Sequence, residues 1–250
     1  MPQPSPELIF GTFNAYQRTA ALKAAIELDV FTAIGEGAAS AAALADRCRA
    51  SERGVRILCD FLAVDGLLAK NDGHYALTPD SAVFLDRRSP ACMADAVKFL
   101  NSPTLMGHFQ DLAGAVRKGG TVANPEGTMA ADHPIWVEFA RSMMPMMRPP
   151  AAFLAELAGE PRRVLDIAAG HGLFGITIAR RSPQTRVVAV DWVNVLALAR
   201  ENAQAAGLDG RYETLPGSAF EVDLGSGYDL ALLTNFLHHF DPPTCQKLLE

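Results

Sequence analysis

The sequence predicts an α/β fold: a parallel sheet with interleaved helices in the C-terminal part, preceded by a largely helical unit. Three features carry that prediction. From Arg162 onward, short apolar runs alternate with amphipathic helical stretches, the rhythm of strand–helix–strand units joined by right-handed crossovers. The first of these runs continues into "VLDIAAGHGLFG" (164–175), where glycines follow directly on a strand. The first hundred residues instead show helical spacing, helix caps and one tight-turn hairpin. These changes of rhythm set the expected boundaries at 1–98, 99–158 and 159–250.

In the first segment, "AYQRTAALKAAIELDVFTAI" places Ala21, Leu22, Ala25, Ile26 and Leu28 at helical spacing and reads as one helix. Ser40 is expected to cap "AAALADRC". Ser51 is expected to cap "ERGVRILCDFLAVDG", which Gly66 ends. "LLAK" and "HYALT" read as two strands around a tight turn at Asp72-Gly73, and Thr78-Pro79 starts a further helix. Helices followed by a hairpin in this order look like a winged helix.

A winged helix often binds DNA. Residues 1–100, however, carry ten Lys and Arg against twelve Asp and Glu. The candidate recognition helix offers Arg53 and Arg56 on a face with Ile57, Leu58, Phe61 and Leu62. DNA recognition leans on phosphate neutralisation, which such a face does not supply. The segment is expected to pack against a second copy, forming a homodimer, and no nucleic-acid partner is expected.

Composition agrees. The 250 residues are 49% apolar with a formal net charge of −6, enough for sizeable cores and without a general basic surface. Cys48, Cys59, Cys92 and Cys245 form no C-x-x-C pair and show no zinc spacing, so reduced thiols and a cytoplasmic location are expected. "MPQPSPELIF" lacks a basic region followed by a long apolar stretch, and no uninterrupted run of about 18 apolar residues exists. Neither a signal peptide nor a membrane span is expected.

Residues 99–158 read as helices broken by "KGGTVANPEG", with Pro149 and Pro150 leading into the next domain. "HPIWVEFARSMMPMMRPP" concentrates Trp136, Phe139, Met143, Met144, Met146 and Met147. Two readings stand side by side: core filling, and an adaptable apolar wall for a flat substrate. On the second, Trp136, Phe139, Met143 and Met147 are candidate substrate contacts.

In the last segment, "RVLDIA", "TRVVAVD", "RYETLPG" and "YDLALLTNF" read as strands, with "LFGITIARRS" and "VLALARENAQAAG" as helices. Ligands of such sheets bind at the carboxyl ends of the strands. Gly170, Gly172 and Gly175 have the G-x-G-x-x-G spacing of a nucleotide loop, alone a weak signal. Gly170 and Gly172 let the backbone approach a ligand, and the next helix presents its N-terminus. Asp191 ends the second strand, placed to accept hydrogen bonds from both ribose hydroxyls of an adenosine. NAD and S-adenosylmethionine both carry one. Asp166 separates them: a carboxylate beside the loop would repel a pyrophosphate but suits a sulfonium and an ammonium. In "PGSAF", Ser218 can meet the polar edge of adenine and Phe220 its face.

"VLDIAAGHG", "VVAVDW", "PGSAFE" and "LTNFLHHFDPPTC" resemble, in order, the motifs of class I S-adenosylmethionine-dependent methyltransferases. More narrowly, nearly the whole chain is similar to the small-molecule O-methyltransferases: plant caffeate and flavonoid enzymes, acetylserotonin methyltransferases and bacterial natural-product enzymes. The resemblance implies an N-terminal winged-helix dimerisation domain and a Rossmann-like cofactor domain. It implies S-adenosylmethionine as cofactor, S-adenosylhomocysteine as its product, and no metal. Cofactor contacts are expected at Asp166, Gly170, Gly172, Asp191, Trp192, Gly217, Ser218, Ala219, Phe220 and Thr234. It places the catalytic histidine at His238, where a neutral imidazole suits removal of a phenol proton.

Several positions depart from the family pattern. Ala168 replaces a common glycine, tolerable at negative φ. Ser218 stands where an acid is frequent, Thr234 where plant enzymes carry a lysine, and His239 where an acid follows the catalytic histidine. Class I methyltransferases have seven strands and four are read here, the fourth an unpaired edge. The 250 residues are therefore expected to be a truncated product. The leading expectation is methyl transfer to a hydroxyl of a small aromatic molecule. Transfer to carbon or nitrogen on the same fold, a non-catalytic dimeric adenosyl-binding protein, and a DNA-binding regulator are the alternatives.

Overall fold

A computed structural model of the chain describes residues 4–120, 122 and 135–250. Most of the expected "KGGTVANPEG" break lies outside the described residues, as do His133 and Pro134. The chain divides into two compact units, residues 1–106 and 107–250.

The first unit holds α1 (Glu7–Phe13), α2 (Ala15–Glu27), α3 (Val30–Gly35), α4 (Ala41–Cys48) and α5 (Glu52–Val64). The hairpin β1 (Leu68–Asn71) and β2 (His74–Leu77) follows, then α6 (Pro79–Phe84), α7 (Ala96–Leu100) and the start of α8 (Pro103–His108). The expected caps form. Ser40 Oγ accepts from the Ala43 amide and Ser51 Oγ from the Gly54 amide, each worth about 1 kcal/mol. Thr78 and Ser81 cap reciprocally. Asp72 and Gly73 both take positive φ, 48° and 78°, the turn that matches strand twist. Asp60 on α5 accepts from Tyr75 Oη at 2.6 Å and Lys70 Nζ at 2.5 Å, clasping the hairpin to the helix.

The single helix expected over 15–34 is broken at Asp29, whose φ is 60°. Asp tolerates this left-handed conformation, and Arg47 and Arg87 pair with its carboxylate at 3.4 and 3.2 Å. The break turns the chain inward. α2 buries only Ala25 and Ile26, whereas Val30 through Ile34 of α3 are all buried. α1 buries nothing and exposes Leu8, Ile9, Phe10 and Phe13.

The second unit contains α9 (Leu112–Lys118), α10 (Ile135–Leu157), β3 (Arg163–Ile167), α11 (Leu173–Arg181), β4 (Arg186–Asp191) and α12 (Val193–Ala205). It continues with β5 (Tyr212–Pro216), β6 (Leu230–Leu232), a 3₁₀ turn at Leu237–His239, and α13 (Pro242–Leu249). The sheet order is β5-β4-β3-β6, all parallel. Strand alternation sorts its two faces. Val164, Val187 and Ala189 join a core with residues of α10, α11 and α12, while Leu165, Ile167, Val188 and Val190 line the other face.

Two expectations are corrected. The fourth strand is three residues long, because the chain turns away at Asn235 (φ 53°). And α10 runs unbroken through Pro145, Pro149 and Pro150. Proline removes a helical hydrogen bond, but here burial of Ala140, Ala151 and Ala155 holds the helix. Among the described residues no helix is long and apolar enough to cross a membrane.

Candidate active site

The glycine loop spans the gap between β3 and α11. Gly170 and Gly172 take φ of 58° and 73°, conformations that glycine adopts freely. Ala168 also sits at φ 53° rather than at the negative φ under which its methyl group is tolerable. Its left-handed backbone carries a steric cost of about 1–2 kcal/mol, offset by the surrounding bonds. The Ala169 amide donates to the Val190 carbonyl at 3.2 Å, and the Gly172 amide to the Ala169 carbonyl at 2.8 Å.

His171 is buried in the loop. Its Nδ1 accepts the Leu173 amide at 3.1 Å, its ring stacks on Phe174, and Asn202 of α12 donates to its carbonyl at 2.8 Å. Burial pushes its imidazole down to about 4, so it is neutral. Asp191 closes the loop from β4. Its Oδ2 accepts the Gly170 amide at 2.8 Å and its Oδ1 the Trp192 amide at 2.7 Å. Burial raises its carboxyl, and those two amides pull it back.

Beside the loop, at the carboxyl ends of the strands, lies a partly open cleft. Asp191, Trp192, Gly217, Ser218, Ala219 and Phe220 all line it. Ala168, Val190, Phe236 and Phe240 complete the wall. Phe240 meets Phe220 and Phe236 edge to face, at centroid distances of 5.2 and 5.0 Å. No Lys or Arg lines this cleft. Phe236 and Val190 were not singled out from the sequence. Their signal was available, since both stand at the end of a predicted strand.

The remaining candidates lie elsewhere. Gly170 and Gly172 form the loop itself, and Thr234 is half-buried after β6. Asp166 is fully buried and does not line the cleft. It shares the face of β3 with Val164, so alternation turns it toward the helices. Its Oδ2 accepts the Gly175 amide at 3.1 Å. A Cβ on Gly175 would come within 2.8 Å of that oxygen, so the third loop glycine lets α11 sit close on the strand.

Trp136, Phe139, Met143 and Met147 all lie on α10. Trp136 meets Phe139 edge to face at 6.0 Å and His239 at 5.7 Å. Met147 Sδ lies 3.6 Å from Asn235 Nδ2, bringing α10 to the turn after β6. Met147 packs against the main core, and Trp136 packs on a smaller cluster with Ala140, Val195 and Leu198 while its ring meets His239. His238 and His239 are adjacent on the 3₁₀ turn, their rings 4.1 Å apart. Partial burial, then the neighbouring His238, lowers the His239 imidazole. Among the described residues no group of three His, Cys, Asp or Glu is disposed to hold a metal ion.

Two family models match the chain. "O-methyltransferase dimerisation domain" covers residues 10–87 and "Methyltransferase domain" covers 164–250. A 3-hydroxy-5-methyl-1-naphthoate 3-O-methyltransferase from Streptomyces sahachiroi is 30% identical over 98% of this chain and 72% of the relative. A Nostoc punctiforme crystal structure, described as a candidate O-methyltransferase, superposes with a TM-score of 0.95 at 54% identity, covering 99% of this chain and 76% of that one. Human N-acetylserotonin methyltransferase, solved with S-adenosylmethionine, shares the fold with a TM-score of 0.79 at 22% identity, covering 99% and 75%.

Proposed function

This chain belongs to the S-adenosylmethionine-dependent small-molecule O-methyltransferases, and we propose that it binds its cofactor in the cleft beside the glycine loop and its acceptor against α10. The observation that carries the reading is Asp191, held between the loop amide and the cleft. The cleft fits an adenosyl group. It offers one carboxylate for a ribose diol, the Ser218 hydroxyl for a polar base edge, and Phe220, Phe236 and Phe240 for a flat ring. It lacks the cations that a pyrophosphate would recruit.

Asp191 holds the ribose, Ser218 and Phe220 the adenine, and Gly170 and Gly172 bring the backbone against the amino-acid end. Trp192, Gly217, Ala219 and Thr234 complete the contacts, with Asp166 acting from beneath the loop. S-adenosylmethionine supplies an activated methyl group on a sulfonium and leaves as S-adenosylhomocysteine. Trp136, Phe139, Met143 and Met147 hold a small aromatic acceptor, and His238 in its neutral form takes the proton from its hydroxyl. Alignment of the two reactants supplies most of the acceleration.

The N-terminal unit is the dimerisation domain by its family match. We propose that its helices and hairpin form a winged helix used for pairing in a cytoplasmic homodimer rather than for DNA. The exposed α1 face, with Leu8 82% accessible and Phe13 68%, supports that use. Light scattering at micromolar concentration tests it, a monomer counting against it. The activity is tested by methyl transfer from labelled cofactor to a panel of small phenols, with NMR locating the new methyl. Transfer to oxygen that falls with His238→Ala supports the whole reading. Transfer to carbon or nitrogen keeps the cofactor site and removes His238 from its role.

A further inference from the structure

Beneath the glycine loop lie two buried polar atoms with no hydrogen-bond partner, Asp166 Oδ1 and Tyr212 Oη. Tyr212 begins β5 and has no part in the cleft chemistry. It belongs to the core on the helical face of the sheet, the face to which Asp166 also points. The loop makes room for both. A Cβ on Gly172 would collide with the Tyr212 hydroxyl, and one on Gly175 would press on the Asp166 carboxylate. Gly172 caps α11 and Gly175 lies three residues on, so hydroxyl and carboxylate lie beneath the same end of that helix without bonding to each other. A buried water takes two to four polar partners and can join two such groups.

We propose that Tyr212 acts on Asp166 through one buried water, and that the pair couples binding of the cationic cofactor to release of a proton from Asp166. The second half rests on the cofactor assignment above. Tyr212 is a positioning residue: it touches neither substrate nor cofactor.

The surroundings supply the chemistry. The groups facing Asp166 are Asp191 at the end of β4 and Tyr212 on β5. α11 offers the Gly175 amide, its charged residues Arg180 and Arg181 being at the other end. β6 offers Leu232, paired in register, and His171 in the loop is neutral. Burial first, then Asp191, raises the Asp166 carboxyl, and the Gly175 amide only partly restores it, leaving it at about 7. Burial also raises the Tyr212 phenol, so it stays protonated and is available as a donor. In the free protein Asp166 holds its proton as pH falls below about 7. A bound sulfonium or ammonium favours the carboxylate, and the proton leaves to solvent. The Tyr212 hydroxyl, donating through the water, favours the carboxylate too.

Calorimetric titration of S-adenosylmethionine between about pH 5.5 and 8.5, in buffers of different ionisation enthalpy, reads the coupling. In the parent protein, affinity falls by up to about tenfold per pH unit below the midpoint, with up to one proton released. Tyr212→Phe moves the midpoint up by about half to one unit, a loss of roughly three- to tenfold at acid pH. Asp166→Asn removes the pH dependence, and Tyr212→Phe adds nothing in that background. Should Tyr212→Phe not fold, fluorotyrosine at 212 is a stronger donor and moves the midpoint down. An unmoved midpoint, or a Tyr212→Phe effect that persists beside Asp166→Asn, overturns the proposal. If S-adenosylmethionine fails to bind at every pH, the cofactor assignment fails instead. The pair is then read in the free protein by infrared spectroscopy: a protonated carboxyl band, absent in Asp166→Asn and displaced by Tyr212→Phe, supports it, and an undisplaced band refutes it.

Discussion

The Asp191 carboxylate accepts the Gly170 amide at 2.8 Å, joining the end of β4 to the turn after β3 across 21 residues of chain. Its other oxygen holds the Trp192 amide. The two positions are one device: two amides orient the carboxylate and the carboxylate in turn ties down the loop, so on the proposed reading the acid is set before a ribose arrives. Such preorganisation lowers the entropy lost on binding.

Removing that carboxylate therefore acts twice. Asp191→Ala is expected to weaken cofactor binding by about 1.5–3 kcal/mol, the loss of charged hydrogen bonds. It also speeds amide exchange at Gly170 in the free protein. Exchange unchanged at Gly170 would show that the bond does not hold the loop.

Ala168 sits at φ 53°. Ala168→Gly removes the steric cost but loosens the unfolded chain, for a net gain of up to about 1 kcal/mol in stability. Thermal melts of the two proteins check the sign.

Gly172 is glycine for two reasons, its φ of 73° and the Tyr212 hydroxyl in the space a Cβ would take. Gly172→Ala is expected to destabilise by about 2 kcal/mol or more. Tyr212→Phe in the same chain returns part of the loss. A double-mutant cycle in urea shows coupling if the space is shared, and strict additivity if it is not.

His238 and His239 are distinguished kinetically. His238→Ala is expected to slow transfer by roughly 10²–10⁴ with cofactor affinity nearly unchanged. His239→Ala costs far less in kcat. It removes the ring against Trp136, so it raises KM for an aromatic acceptor. Near-normal turnover by His238→Ala on an oxygen acceptor rejects the base assignment.

Two buried groups give the free protein opposing pH dependences. Asp166, raised to about 7, binds a proton that the unfolded chain has lost, so its contribution falls as pH rises from about 4 toward 7. His171, lowered to about 4, stays neutral where the unfolded chain takes a proton, so its contribution falls as pH drops from about 6.5 toward 4. Over that shared window the two slopes oppose. Asp166→Asn removes one of them, so relative to the parent the stability of the variant falls with acidity by up to about 1.4 kcal/mol more per pH unit. Urea melts across this range, without cofactor, check both slopes.

Much of this was legible in local chemistry. Serine caps, the Asp-Gly turn and the strand–loop–helix passage at 164–175 are decided within a few residues, and they stand where the sequence places them. The break at Asp29 was not legible, because helical spacing runs on through it and only the ion pairs with Arg47 and Arg87 mark the bend. Nor was the unbroken α10, where tertiary burial overrides three prolines. The depth of Asp166 could have been read, since strand alternation sets it on the face of Val164. Tyr212 could not: a tyrosine opening a strand reads as β-propensity, and its hydroxyl gains meaning only against Gly172.

The measurement that bears most directly on the cofactor site is calorimetric titration of S-adenosylmethionine into the parent protein and Asp191→Ala, with NAD as the competing dinucleotide. The expected result is binding of S-adenosylmethionine, roughly tenfold or more weaker in Asp191→Ala, and none of NAD. Tight NAD binding with no uptake of S-adenosylmethionine would contradict the account.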